Sequence, residues 1–216
     1  MFIGHFAVGF AAKKFSPKTS LATLFIACQM LDLIWPVAMV LGLETASHNH
    51  AIPTFNALDL KYVPYSHSLG MAVFWSALLG LAMKLFKRSK REALVVALVV
   101  FSHWILDYAT HVPDLPLWFG PSRVGLGLWR SQWGTFVVEI GLFAAGLCLY
   151  RNQEGPLSGR RKFNFYSLTA FLLIVYVASV FGPKPPETDS PFVVAGPAFA
   201  IWLLVLWSYY VDKRSA

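Results

Sequence analysis

Residues 92–112 read EALVVALVVFSHWILDYATHV, and apolar stretches of the same kind recur along the chain. A helix of about 20 apolar residues crosses the ~30 Å hydrocarbon core of a bilayer. In that solvent every backbone N–H and C=O must be satisfied internally, which leaves only helices or closed barrels. A barrel would alternate apolar and polar residues in segments of ~10, and no such alternation is present. Charge agrees with this reading: 13% of the 216 residues are charged, where a soluble domain carries about 25%. The expected fold is all-α, a polytopic transmembrane helical bundle forming one integral membrane domain over 1–216.

Hydrophobic runs and breakers predict about seven membrane helices, at roughly 2–14 (short), 19–43, 66–86, 92–112, 133–150, 164–182 and 192–211. Ser16-Pro17, the basic KLFKRSKR, Pro113 and Pro116, GPLSGRRK and GPKPPETDSP separate them. The net charge of +7 is not read as a nucleic-acid footprint, because position matters more than sum in a membrane protein. Lys13, Lys14 and Lys18 form one cluster, and Lys84, Lys87, Arg88, Lys90 and Arg91 a second. Arg151, Arg160, Arg161 and Lys162 form a third, Lys213 and Arg214 a fourth. The predicted spans put all of them on one face, expected to be cytoplasmic, with the N-terminus outside and the C-terminus inside. Cys28 and Cys148 fall in apolar helices and are expected to be small core residues, not a disulfide. The N-terminal MFIGHFAVGFAAKKF is not expected to be a signal peptide, since its basic residues follow the apolar stretch.

Within the spans lie His5, Asp32, His67, His103, Asp107, His111 and Glu139. At 1.5 Å per residue, Asp107 is about 6 Å and His103 about 12 Å deeper than His111. Glu139 is about 9 Å below the outer start of its helix, and Asp32 about 16 Å deep, before a kink expected at Trp35-Pro36. His5 and His67 belong to the outer part of their helices. Five helices therefore place ionisable groups in one outer layer, where such groups are paired, buried in the bundle or functional.

Imidazole with carboxylate is the donor set of Zn²⁺, with Mn²⁺ or Fe²⁺ as alternatives. His103 and Asp107, one turn apart, can share an ion. His111 is too far along the axis to join His103 and is expected at the mouth of the site or on a second ion. Glu139 is either a general base or a group fixing a histidine tautomer. Ser66 is expected as an N-cap beside His67. His48 and His50 lie in a loop, Asp114 in a turn or at the rim of the site, and Arg123 and Arg130 are candidates for lipid or substrate phosphate. Trp118, Trp129 and Trp133 are candidate interfacial anchors.

These residues resemble the membrane-bound metal-dependent hydrolases of the LexA-binding, inner-membrane-associated hydrolase-like family. The resemblance rests on His5 in an N-terminal GH, Asp32 in LDLIWP, His67 in YSHSL, and SHWILDYATHVPDLPL, with Glu139 in WGTFVVEIG as a further element. It covers about residues 1–150, the core of the metal site, and leaves two additional helices at 164–211. The order is also distantly similar to the metal-site pattern of zinc-dependent phospholipase C. LDLIWP stands where many members have Asp-x-Asp, and YSHS where many have His-Arg-Gly-x-Thr-His-Ser. The resemblance implies an inner-membrane hydrolase holding one or two divalent ions.

Three functional readings follow. In the first, a divalent ion held by His5, Asp32, His67, His103 and Asp107 lowers the pKa of a water towards ~7. The substrate would be an amphiphilic or lipid-linked ester or phosphoester, with no nucleic-acid partner. The second reading is a metal-ion or proton transporter, and the third a binding or scaffold protein with a structural metal.

Overall fold

A computed structural model describes residues 1–212; Lys213 and Arg214 lie outside the described residues. The helices are α1 (Ile3–Ala12), α2 (Leu21–Cys28), α3 (Met30–Val40), α4 (Pro64–His67), α5 (Leu69–Leu85), α6 (Lys90–Thr110), α7 (Gln132–Gln153), α8 (Gly159–Phe181), α9 (Pro191–Ala195) and α10 (Ala200–Asp212). Helix starts carry their own punctuation. Ser20, Ser68 and Ser131 accept the N–H of Thr23, Met71 and Gly134, and Ser89 with Glu92 forms a reciprocal capping box on α6.

Each predicted span has a helical counterpart, but not each is long enough to cross. Among the described residues four helical stretches have the length and apolarity for it: Lys90–Thr110, Gln132–Gln153, Gly159–Phe181 and Pro191–Asp212. Taking α2 and α3 as one bent span makes five. The expectation of about seven falls two short, at α5, an apolar helix of 17 residues that is below span length, and above all at α1. Its 10 residues rise about 15 Å, half a hydrocarbon core, and they are buried inside the bundle instead of facing lipid. The expected kink also moves. Pro36 sits within α3, while the 57° bend falls at Gln29, between α2 and α3.

The interior of the bundle is aromatic. Phe6, Phe10, Phe25, Phe143 and Tyr150 are all fully buried, with Phe10 edge-on to Phe25, Phe143 and Tyr150 at centroid distances of 5.1, 6.1 and 5.3 Å. Close approach of α1 to α7 depends on Gly146, where a Cβ would lie 2.4 Å from the Ala7 carbonyl oxygen. Below this core Lys13 pairs with Asp212 and lies 3.8 Å from Glu154, which in turn pairs with Arg161 at 2.7 Å. The ends of α1, α7 and α10 and the start of α8 therefore meet there, and three basic clusters share that end of the bundle.

At the opposite end a small cap forms. Strands β1 (Thr45–His48) and β2 (Leu58–Tyr62) pair antiparallel, and β3 (Leu115–Pro116) pairs with β4 (Arg123–Val124). These strands are too short to register as a period-2 pattern. Gly125, at φ +158°, lets the chain run against the His111 and Val112 carbonyls, where a Cβ would clash at 2.5 and 2.2 Å.

Candidate metal centre

Helix α6 presents His103 and Asp107 inward one turn apart, both buried, with His103 Nε2 3.0 Å from Asp107 Oδ2. Helix α1 brings His5 Nε2 to 3.0 Å from Asp107 Oδ1 and stacks its ring on His103 at 3.6 Å. From α3, Asp32 Oδ1 lies 3.3 Å from His67 Nε2 and 3.7 Å from His103 Nε2. Helix α4 supplies His67, whose Nε2 is also 3.7 Å from Asp107 Oδ2. His111, at the end of α6, points Nε2 towards Asp107 Oδ1 at 4.0 Å. Among the described residues two groups have ligand atoms mutually within 4.8 Å: His5–His103–Asp107 and Asp32–His67–His103. Five residues from four helices converge, although their sequence positions span a hundred residues.

The histidine tautomers follow from the acceptors behind them. The Cys28 carbonyl oxygen can only accept, so His103 Nδ1 donates to it at 2.8 Å. That carbonyl is available because α2 ends there, and a helix terminus leaves its last carbonyls without intrahelical partners. Ser66 Oγ gives its proton to Glu44 Oε2 at 2.6 Å, and can then only accept from His67 Nδ1 at 2.7 Å. Glu44 in turn accepts the N–H groups of Tyr65 and Ser66, both at 2.8 Å. Trp104 Nε1 donates to the His67 carbonyl at 3.0 Å, fixing the backbone as well. His111 Nδ1 faces Asp114 Oδ1 at 3.0 Å, a carboxylate behind an imidazole. Three imidazoles are thus anchored through Nδ1, and their Nε2 lone pairs are turned towards Asp32 and Asp107.

A bare Nε2 and a carboxylate oxygen are both acceptors, and two buried acceptors at 3.0 Å need a cation or proton between them. His103 Nε2 is buried and makes no hydrogen bond. The donor set, imidazole nitrogen and carboxylate oxygen with hydrogen-bonded partners behind them, fits Zn²⁺, Mn²⁺ or Fe²⁺. The amino group of Met1 lies 2.6 Å from Asp107 Oδ1.

Glu139 is occupied differently. Its Oε2 accepts the N–H of Phe2 at 2.8 Å and of Gly4 at 3.0 Å, two of the open donors at the start of α1. It holds the helix that carries His5. The loop residues do not reach the centre. His50 Nε2 is 2.8 Å from the Pro185 carbonyl oxygen, and His48 bridges Thr188, so both tie the 183–190 segment to the cap. Burial first, then the neighbouring His50, lower the His48 pKa. Arg123 donates to the carbonyls of Gly120 and Lys61, at 3.2 and 3.5 Å, and Arg130 is exposed. Neither lines the cavity above the centre. Trp118 and Trp133 are exposed, whereas Trp129 is buried with its ring 4.0 Å from His111. The N-cap at the start of α5 is Ser68, not Ser66. Glu44, absent from the sequence-based candidates, is the carboxylate that orients His67. Both cysteines are free; Cys28 is buried, but Cys148 is exposed on α7 and is not a core residue.

A cavity of about 470 Å³ opens on Asp32, His67, Asp107 and His111 and is walled by residues of α8 and of Pro191–Asp212. The last two helices, outside the stretch of motif resemblance, therefore help to enclose the centre.

The sequence model of the YdjM inner membrane protein family matches residues 1–185, past the 1–150 stretch and through α8. Its description names a membrane and no chemistry. No curated protein and no solved structure matches. With residues 1–185 of 216 matched and several helices fit to cross a bilayer, the chain belongs to the YdjM inner membrane protein family and is an integral inner-membrane protein.

Proposed function

We propose that the protein is a metal-dependent hydrolase, holding one or two divalent ions, Zn²⁺ foremost, and cleaving an ester or phosphoester of a membrane amphiphile. The observation that carries this reading is the convergence of Nε2 atoms on Asp32 and Asp107, with Nδ1 of His67, His103 and His111 each fixed from behind. His5, His103 and Asp107 would hold one ion, and Asp32 and His67 would complete its shell or hold a second. A divalent ion bound there supplies Lewis acidity and an activated water at neutral pH. The candidate set exceeds the four protein ligands of a closed structural site.

The chain's own groups divide the remaining work. Asp32 is the ligand-set carboxylate with the more open side chain, 22% exposed against 2% for Asp107. It lines the cavity and is placed to take a proton from water there. Glu139 is a positioning residue for α1 and His5. Glu44 and Ser66 hold the His67 tautomer, and Asp114 holds His111. We place the end of the bundle that holds the centre, opposite Lys13, on the periplasmic side, a reading supported by the gathering of basic residues at the Lys13 end.

Transport is disfavoured by what lies beneath. From the centre towards Lys13, Phe6, Phe10, Phe25 and Phe143 form a fully buried aromatic plug that offers a moving ion no ligand. Proteoliposomes incubated with a panel of lipid esters and phosphoesters test the proposal. Metal-dependent turnover by wild type, lost in a folded Asp107→Ala variant, is expected. Full turnover in that variant, or Zn²⁺ flux with no turnover of the panel, would overturn it.

A further inference from the structure

The cavity beside the centre has two chemically different ends. Its polar end is formed by Asp32, His67, Asp107 and His111. Its other end is apolar: Phe171 and Val175 on α8 face Ile201 and Leu204 on α10. The exposed members of its lining are Phe171 on α8, Ala200 at the start of α10, and Pro197 in the turn that leads into α10. Leu60, Trp129 and Trp35, towards the cap, are buried and close it on that side.

The depth of the opening identifies what can enter. Phe171 lies about 18 Å along α8 from Gly159, and Gly159 begins the helix beside the basic residues Arg160, Arg161 and Lys162. With a hydrocarbon core ~30 Å thick, the mouth between α8 and α10 faces lipid chains instead of water. A volume of about 470 Å³ is that of a small-molecule site, mostly apolar with a few convergent polar groups.

We propose that this cavity binds one hydrocarbon chain of a membrane amphiphile, which enters sideways between α8 and α10 and carries its polar head to Asp32, His67 and Asp107. The proposal rests on the hydrolase reading for what happens to the head, but not for the binding of the chain. It gives α10, beyond the matched family stretch, a role in selecting the substrate.

The test uses 1-acyl-lysophosphatidylglycerols with chains of 8 to 14 carbons as probes, titrated against the full-length protein in amphipol and read by native mass spectrometry. One equivalent should bind saturably, with affinity rising about fourfold per methylene and levelling off once the cavity is filled. Ala198→Trp, which fills the cavity from the α9–α10 side, should weaken the longest probe at least tenfold with its thermal unfolding midpoint retained. Val175→Trp, filling it from α8, provides the same reading if the first variant does not fold. Unsaturable adducts, affinity independent of chain length, or unchanged binding in a folded filled variant would overturn the proposal. The two readings fail separately. Chain-dependent binding with no metal and no turnover sinks the hydrolase alone; turnover of a short soluble ester without chain-dependent binding sinks the chamber alone.

Discussion

Removing one hydroxyl tests the organisation of the centre without touching a ligand. Ser66 is fully buried and stands between Glu44, at 2.6 Å, and His67 Nδ1, at 2.7 Å. Ser66→Ala leaves Glu44 its two backbone N–H donors, so the loop stays anchored, but the His67 Nδ1 proton loses its acceptor. The imidazole is then free to change tautomer or rotate. Groups behind metal-ligating histidines typically contribute 10–100-fold to affinity, so Zn²⁺ should bind about 10–100-fold more weakly, or about 1.4–2.8 kcal/mol. The metal-free protein should also lose about 1–3 kcal/mol, the penalty of a buried donor without a partner. Competition against a chromophoric chelator in detergent reads the first effect and thermal unfolding the second. Ser68→Ala is the matched control. It removes the α5 cap on Met71 N–H, should cost about 1 kcal/mol of stability, and should leave Zn²⁺ affinity unchanged. Wild-type affinity in Ser66→Ala, or equal weakening in both variants, would refute the relay.

Three further outcomes follow from the packing and the site. Gly146→Leu should force α1 from α7, since even a Cβ would sit 2.4 Å from Ala7 O; a loss of about 1–3 kcal/mol in thermal unfolding checks it. Lys13→Met removes the cation between Asp212 and Glu154 and should destabilise by about 3–5 kcal/mol. A melt of Lys13→Met within error of wild type would contradict that value. Free Zn²⁺ at about 100 times its dissociation constant should raise stability by about 2.7 kcal/mol, reversed by a chelator, and a flat response in a calorimetric scan would count against a bound ion.

The parts of the centre that repeat with helical period are legible in the order of residues alone. His103 and Asp107 share a face because four residues make one turn, and counting depth from the basic clusters draws His5, Asp32 and His67 into the same layer. The rest depends on contacts distant in sequence. Glu44 looks like a single acid at the end of an apolar run, and nothing local says that it folds back onto Tyr65 and Ser66. The bend at Gln29, expected at Pro36, becomes intelligible once His103 is seen to bond the Cys28 carbonyl. Trp129 looks like an interfacial anchor, and its burial against His111 depends on the fold of the 113–131 loop. The apolar runs locate α1 correctly, but composition cannot distinguish a helix facing lipid from one buried by its neighbours. Its 10 residues decide that it falls short of a full span. The hairpin strands, of four and five residues, are too short to leave a pattern.

The central claim is that the converging Nε2 atoms hold a metal, and elemental content tests it most directly. Protein purified in detergent without a histidine tag would be measured by inductively coupled plasma mass spectrometry beside the His103→Ala/Asp107→Ala double variant. One to two equivalents of a divalent transition metal are expected in wild type and near none in a folded double variant. A folded wild type that holds no metal after exposure to Zn²⁺ and Mn²⁺, or a double variant that retains it, would contradict the account.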